Sequence, residues 1–192
     1  PLPLEAVLLL SGVQTAVLLA LAVALGVWLA PRVGLRAPAV SSWVAGQPAG
    51  PALRAQLVPG LWGGVAGAAW LWLLSRLAPA ALQPSDPANA MPLLVKLLYG
   101  GITEELLMRW GVMTLLLWLG WRLLQRGYGQ PRKGLVALAV LLSALLFAVG
   151  HLPAAQAMAG VLTMPVVAFV LVGNTVFGLV AGGLFARHGL EA

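Results

Sequence analysis

Long apolar stretches separated by short polar segments dominate the chain. Each stretch approaches or exceeds the ~20 residues that an α-helix needs to cross about 30 Å of hydrocarbon. We therefore predict an all-α fold, a polytopic transmembrane helical bundle with about five or six membrane segments. The predicted spans are Leu4 to Ala30, Leu57 to Leu77, Ile102 to Leu123, Leu135 to Gly150 and Met164 to Arg187.

Segments rich in glycine and proline separate these spans. The pattern predicts loops over residues 31–56 and 78–91, and a loop or a re-entrant turn over residues 154–163. Pro92 suits the first turn of a helix. Helical residues should follow Pro92, interrupted at Gly100-Gly101 before the third span begins.

Composition places the whole chain in a membrane and excludes several functions. Of the residues, 61% are hydrophobic and 8% are charged, whereas a soluble domain has about 25% charged residues. Membrane lipids are therefore the expected surroundings. The net charge of +6 comes from residues between the spans, so it reflects topology and no nucleic-acid partner is expected. The absence of cysteine excludes disulfides, thiolate metal sites and a cysteine nucleophile.

Basic residues concentrate in alternate loops. The loop at 31–56, the loop at 121–134 and the end of the last span hold most of them. The positive-inside rule then predicts an integral protein, expected in a bacterial cell membrane, with an outer N-terminus and cytoplasmic basic loops. On this topology Glu104 and His151 lie toward the same, non-cytoplasmic, end of adjacent helices.

Two glutamates and an arginine lie inside the third span. Isolated charges are costly to bury in hydrocarbon, so such groups are rare and usually functional. Glu105 and Arg109 have the i, i+4 spacing of an ion pair on one helix face. Glu104 is rotated about 100° from Glu105 and has no evident local partner. Glu104 is therefore the carboxylate that we expect to be available for chemistry.

His151 and Asn174 are the other polar candidates. His151 follows Phe147 by four residues, so the two rings share a helix face. His151 could cap the helix or lie at the lipid headgroups; with Glu104 at the same depth it could polarise a water or bind a metal. Asn174 could form an interhelical hydrogen bond beside a glycine face, or its amide could stabilise an oxyanion.

Two motifs together resemble a known family of membrane enzymes. Glu104-Glu105-x-x-x-Arg109 followed by Phe147-x-x-x-His151 resembles the CPBP family, the CAAX-protease and bacteriocin-processing intramembrane endopeptidases, which include the Rce1-type CAAX prenyl endopeptidases. The segment from Asn174 to Gly189 looks like the glycine-containing later helix of that family.

The resemblance covers about residues 92–190 and implies an Rce1-like fold. Residues 1–91 would then hold two N-terminal transmembrane helices with their loops, and residues 92–192 would form the catalytic core. The implied substrate is a membrane-associated, prenylated (CAAX-type) or leader peptide. The oligomeric state stays open.

The resemblance also implies roles for single residues. Glu104 would activate the attacking water, and His151 would assist or would bind that water or a metal. Arg109 would hold Glu105, and we count Phe147 and Asn174 with that pair as supporting residues. The cofactor is either zinc, with Glu104 and His151 as ligands, or none with a Glu-activated water. Two ligands are an incomplete set, because a catalytic zinc usually has three from the protein.

Family members also carry a later His-x-x-x-Asn or His-x-x-x-Asp motif that completes the site. This sequence ends at Ala192, where the helix with that motif should start, and Val170 rather than a histidine precedes Asn174 by four residues. We expect a chain that is cut short at its C-terminus. The alternatives are a catalytically inactive scaffold or regulator of the same fold, and a small transporter or channel with Glu104, Glu105 and His151 in a proton or cation relay.

Overall fold

The computed structural model describes residues 3–83 and 92–192. These ranges consist of helices and turns without any strand, which confirms the predicted all-α fold. Most of the predicted loop at 78–91 lies outside the described residues, and its described part contains a short 3-10 turn at Ala80–Leu82.

Over residues 3–83 and 92–192 the bundle consists of seven helices, of which five are long; the short helix Leu152–Ala159 continues the long helix before it as one apolar segment. Four segments are long and apolar enough to cross a membrane: Leu4–Val33, Gly50–Leu77, Lys133–Ala159 and Met164–His188. The fifth, over residues 93–124, is divided by wider turns into regular sections that are each too short to span alone. In chain order the helices are α1 Leu4–Leu29, α2 Pro38–Val44, α3 Gly50–Leu77, α4 over residues 93–124, α5 Lys133–Gly150, α6 Leu152–Ala159 and α7 Met164–His188.

The predicted loop at 31–56 is wrong. It contains the short helix α2, and α3 begins at Gly50 rather than at Leu57. Prolines account for the error, because Pro38 and Pro51 lie in the first turns of these helices. A proline there starts a helix rather than breaking one, since its missing N–H would have no partner in the first turn.

Two further predicted breaks are also helical. Residues 154–163 lie mostly in α6, which carries Pro153 in its first turn. The Gly100-Gly101 pair does not interrupt α4 but lies in a π-helical turn, Tyr99–Thr103, and a second π-helical section follows at Leu106–Met113. Such wide turns are rare and often occur at functional sites.

Side-chain hydroxyls follow the wider turns of α4. Thr103 Oγ1 donates to the Leu98 carbonyl at 3.3 Å, and Thr114 Oγ1 donates to the Arg109 carbonyl at 3.1 Å. Each bond joins residues five apart, the spacing of a π turn. Each hydroxyl thus gives one carbonyl of the wider turns a side-chain donor.

Glycines allow α7 to approach α5 closely. A Cβ atom at Gly178 would lie 2.8 Å from Ala144 Cβ, and one at Gly182 would lie 3.1 Å from Val140 Cγ1. Helices in lipid associate through such small-residue contacts, because lipid tails are as apolar as the side chains they replace.

Helix α3 packs on another face of α7. A Cβ atom at Gly67 would lie 3.2 Å from the Phe177 ring, and Trp70 Nε1 donates a hydrogen bond to the Gly173 carbonyl at 2.9 Å. This bond crosses between two apolar helices and fixes their relative height.

The two ends of α7 lie in separate apolar clusters. Phe185 packs with Met113, Leu117 and Val140 near one end, and Val166 and Val170 pack with Ala155 at the other end. On α7, Asn174 lies between these two clusters.

The loop after α1 and the end of α7 meet at one end of the bundle. Leu190 N–H donates to the Arg36 carbonyl at 3.1 Å, and Gln56 Nε2 donates to the His188 carbonyl at 2.9 Å. These two basic regions therefore share one side, as alternating topology requires. Their cytoplasmic location stays a prediction.

Candidate active site

His151 lies where α5 ends and α6 begins. Its backbone N–H donates to the Ala148 carbonyl at 3.1 Å, so the residue does cap a helix. Its ring also points to the Glu104 carboxylate on α4. The capping role and the chemical role proposed from the sequence are therefore compatible in one residue.

Glu104 and His151 meet across a short gap. Glu104 Oε1 lies 3.8 Å from His151 Nε2, and the two side chains are 21% and 33% exposed. This distance exceeds that of a hydrogen bond. Both atoms are nevertheless close enough to contact one small molecule, such as a water, at the same time.

A hydrogen bond sets the proton position on the His151 ring. His151 Nδ1 lies 2.8 Å from the Phe147 carbonyl oxygen. A carbonyl can only accept, so Nδ1 carries the hydrogen. In the neutral ring Nε2 then holds a lone pair and presents it toward Glu104. The imidazole is thus arranged to accept a hydrogen bond on the side of the carboxylate.

Glu105 and Arg109 form the contact that their spacing predicts. Arg109 Nε lies 3.3 Å from Glu105 Oε2, and the arginine side chain is 2% exposed. No nitrogen of the guanidinium has an aligned hydrogen-bond partner within residues 3–83 and 92–192. The contact is therefore a charge pair whose hydrogen-bond geometry is poor.

Arg109 also meets an aromatic ring. Its guanidinium carbon lies 4.9 Å from the centre of the Phe147 ring. A cation over a ring face is attracted by the ring quadrupole, by about 2 kcal/mol where water is excluded. The Phe147 ring in turn lies 4.5 Å from the His151 ring at an interplanar angle of 68°. The two sequence motifs are therefore in direct contact through Arg109 and Phe147.

Asn174 makes a different bond from the one expected. Its Nδ2 donates to the Val170 carbonyl at 2.9 Å, one turn earlier in the same helix, and the described residues show no interhelical hydrogen bond from this nitrogen. A carbonyl four residues back is a common local partner for a polar side chain in a helix, and it competes with acceptors on other helices. Asn174 still lines the same cavity as Glu104 and His151.

That cavity has a volume of about 590 Å³ and lies between α3, α4, α5 and α7. Glu104, His151 and Asn174 supply polar atoms to its wall, and Leu71 and Leu74 of α3 belong to its apolar part. A second cavity of about 510 Å³ adjoins it. Leu71, Gly100, Gly101 and Phe177 line both.

The adjacent glutamates line different cavities. Glu104 lines the first and Glu105 lines the second, as their different directions on the helix suggest. Sequence reasoning missed the lining residues of α3, because apolar residues in a span look alike whether they face lipid or a cavity. Phe177 carried a weak signal, since it lies three residues after Asn174 on the same helix face.

The donor set for a catalytic zinc is incomplete in the described part of the chain. No group of three histidine, cysteine, aspartate or glutamate side chains lies together there, whereas such a zinc usually takes three protein ligands. Glu104 and His151 would supply two, so a further donor would be required.

Comparison with known proteins places this arrangement in a family. The family model described as type II CAAX prenyl endopeptidase Rce1-like matches residues 86–192, more than half of the chain. This region contains all of the polar candidates discussed above. No curated protein and no solved structure matches the chain.

Proposed function

Because the chain belongs to the Rce1-like family of type II CAAX prenyl endopeptidases, we propose that Glu104 and His151 are its catalytic residues. The family supports an intramembrane protease of CAAX type, and the apolar helices make it an integral membrane protein. The observation that supports the assignment is the 3.8 Å separation of Glu104 Oε1 and His151 Nε2 at the wall of a cavity.

In the proposed reaction Glu104 acts as general base toward a water in the cavity. The carboxylate takes one proton while the water oxygen forms a bond to the scissile carbonyl carbon. His151 Nε2 accepts the other water hydrogen in a hydrogen bond and so orients the attack. When the C–N bond breaks, protonated Glu104 returns its proton to the leaving amine nitrogen.

Asn174 could donate a hydrogen bond to the oxyanion that develops on the scissile carbonyl oxygen. One of its two Nδ2 hydrogens is used by the Val170 carbonyl; the second has no partner among the described residues and could bond to a substrate oxygen. Such a donor stabilises charge that develops in the transition state. Its loss should therefore lower kcat more than it raises KM.

We propose a membrane-associated peptide, prenylated in CAAX style or similarly apolar, as the substrate. The cavity walls combine leucine, phenylalanine, valine and glycine with four polar side chains, those of Ser75, Glu104, His151 and Asn174. Binding sites of this kind are mainly apolar, with a few polar groups that set orientation.

The decisive test is peptide cleavage by the purified full chain in liposomes, with a prenylated CAAX peptide and mass spectrometry of the products. Glu104→Ala and His151→Ala should each abolish cleavage. Glu5→Ala and His188→Ala are matched controls, because Glu5 is exposed at the start of α1 and His188 ends α7. Cleavage by either site variant would contradict the assignment.

The same preparations separate the alternatives. Unchanged biological function of the Glu104→Ala protein, without any cleavage by the wild type, would favour a scaffold or regulator. Proton or cation flux into the liposomes that depends on Glu104 and His151 would favour a transporter.

A further inference from the structure

The Phe147 ring is the point at which the charge pair meets the candidate catalytic histidine. Its side chain is buried, at 6% exposure. Besides Arg109 and His151, it packs against the Phe177 ring; the two ring centres are 6.4 Å apart and the interplanar angle is 30°. Groups from α4, α5 and α7 therefore hold the ring in place.

Arg109 makes its contact with the site through such neighbours. It is not among the described residues that line either cavity. Its guanidinium meets Glu105 and the Phe147 ring, and it has no aligned hydrogen bond within the described ranges. The Phe147 ring is therefore the group that lies between the Arg109 guanidinium and the His151 ring.

The orientation of His151 needs such a constraint. The neutral side chain of free histidine prefers the hydrogen on Nε2, the opposite tautomer to that set by the Phe147 carbonyl. Rotation about the bond to the ring is soft, because torsions of this type have broad minima. The carbonyl selects the correct nitrogen only while the ring plane stays near its present position.

We propose that Phe147 is a positioning residue for His151. Its ring, held by Arg109 and Phe177, packs against the imidazole and keeps Nδ1–H on the Phe147 carbonyl and Nε2 toward Glu104. That this positioning serves catalysis rests on the proposed role of His151 in cleavage. That Phe147 sets the His151 tautomer does not depend on that role, so each claim can fail separately.

The first experiment reads the tautomer and needs no activity. The chain has two histidines, so ¹⁵N-histidine labelling gives two ring systems in nanodiscs, and His188→Ala assigns them. In the wild type, His151 should show a protonated Nδ1 and an unprotonated Nε2. Phe147→Leu should shift the signal to the Nε2–H form, and Phe147→Tyr, which keeps the ring, should restore it.

Arg109 is tested by the same spectra. Arg109→Met should weaken the Nδ1–H form, and Arg109→Lys, which keeps a cation near the ring, should retain more of it. If Arg109→Met does not fold, the lysine variant still reports on the ring contact. A wild-type tautomer in Phe147→Leu would overturn the proposal.

The second experiment separates positioning from substrate contact, because Phe147 also lines the cavity. Phe147→Leu should lower kcat by at least about tenfold with little change in KM, part of the 10²–10⁴-fold of a positioned acid–base group. Phe169→Leu is the comparison for a substrate contact, since Phe169 lines the cavity and has no such contact with His151 among the described aromatic pairs. Its substitution should change KM rather than kcat. A raised KM with unchanged kcat in Phe147→Leu would overturn the proposal in favour of a substrate contact.

The two experiments also distinguish the two failures. If Phe147→Leu shifts the tautomer as expected but the wild-type chain cleaves no peptide, the positioning of His151 stands and the proposed function is rejected. Normal cleavage by Phe147→Leu would reject the positioning role and leave the proposed function intact.

Discussion

Glu104 Oε1 lies 3.8 Å from His151 Nε2, on the shared wall of one cavity, although the two residues belong to different helices. Neither side chain is fully buried, and neither has another ion-pair partner within 4.0 Å among the described residues. The pair is therefore accessible from the cavity and can act on one bound molecule.

Because Glu104 and His151 act on the same water in the proposed reaction, their effects should not add. Glu104→Gln and His151→Gln should each lower kcat/KM by about 10²-fold or more, and the double variant should be no worse than the poorer single variant. Steady-state cleavage in liposomes measures this. Additive losses would show that the residues act in separate steps.

Glu105 should be required for stability rather than for the chemical step. Glu105→Ala leaves the buried Arg109 charge without its partner, and breaking a buried pair costs about 3–5 kcal/mol. Replacement of both by leucine should recover most of the stability, because an apolar pair needs no desolvation. Reversible unfolding in mixed micelles measures both. Equal stability of Glu105→Ala and the wild type would contradict the pairing.

Close packing of α5 on α7 should not tolerate a methyl group at Gly178. The new Cβ would lie 2.8 Å from Ala144 Cβ, and such overpacking costs about 1–3 kcal/mol. Gly183→Ala is the control on the same helix, because a Cβ there would have no neighbour within 4 Å. Gly178→Ala should therefore have a lower free energy of unfolding than Gly183→Ala.

Trp70 should contribute a measurable interhelical hydrogen bond. Trp70→Phe removes the donor to the Gly173 carbonyl, and such bonds in membrane proteins average about 0.6 kcal/mol. Trp72→Phe is the comparison, since Trp72 is 60% exposed. A larger loss of stability for Trp72→Phe than for Trp70→Phe would contradict this reading of the α3–α7 contact.

Gly101 lies where the two cavities meet, so a larger side chain there should affect substrate binding. A Cβ at Gly101 has no neighbour within 4 Å, and Gly101→Leu should therefore fold. The leucine would occupy space shared by the cavities and raise KM for bulky apolar peptides more than for small ones. Gly12→Leu, on the exposed part of α1, should leave KM unchanged. Identical KM values for all peptides in Gly101→Leu would contradict a role for this space.

Much of the fold follows from local properties of the chain. Apolar length predicted four of the five spans, and the i, i+4 spacing predicted the contact of Glu105 with Arg109. The predicted span from Ile102 to Leu123 is not among the helices that could cross a membrane by length and composition, because π-helical turns divide it. Apolar length and helical spacing are both encoded within one segment. The errors at residues 31–56 and at Gly100-Gly101 are also local, since proline and glycine are compatible both with breaks and with helix starts or π turns.

The sequence by itself determined the all-α membrane fold and which polar residues could react. Only the tertiary structure decided that Glu104 faces His151, that Arg109 lies on the Phe147 ring, and that α3 forms one wall of the cavity. The physical reason is that the surfaces of an apolar span are nearly equivalent in hydropathy, so the pattern does not show which one faces lipid. Close packing of small residues and a few hydrogen bonds select the arrangement, and both require the partner helix to be present.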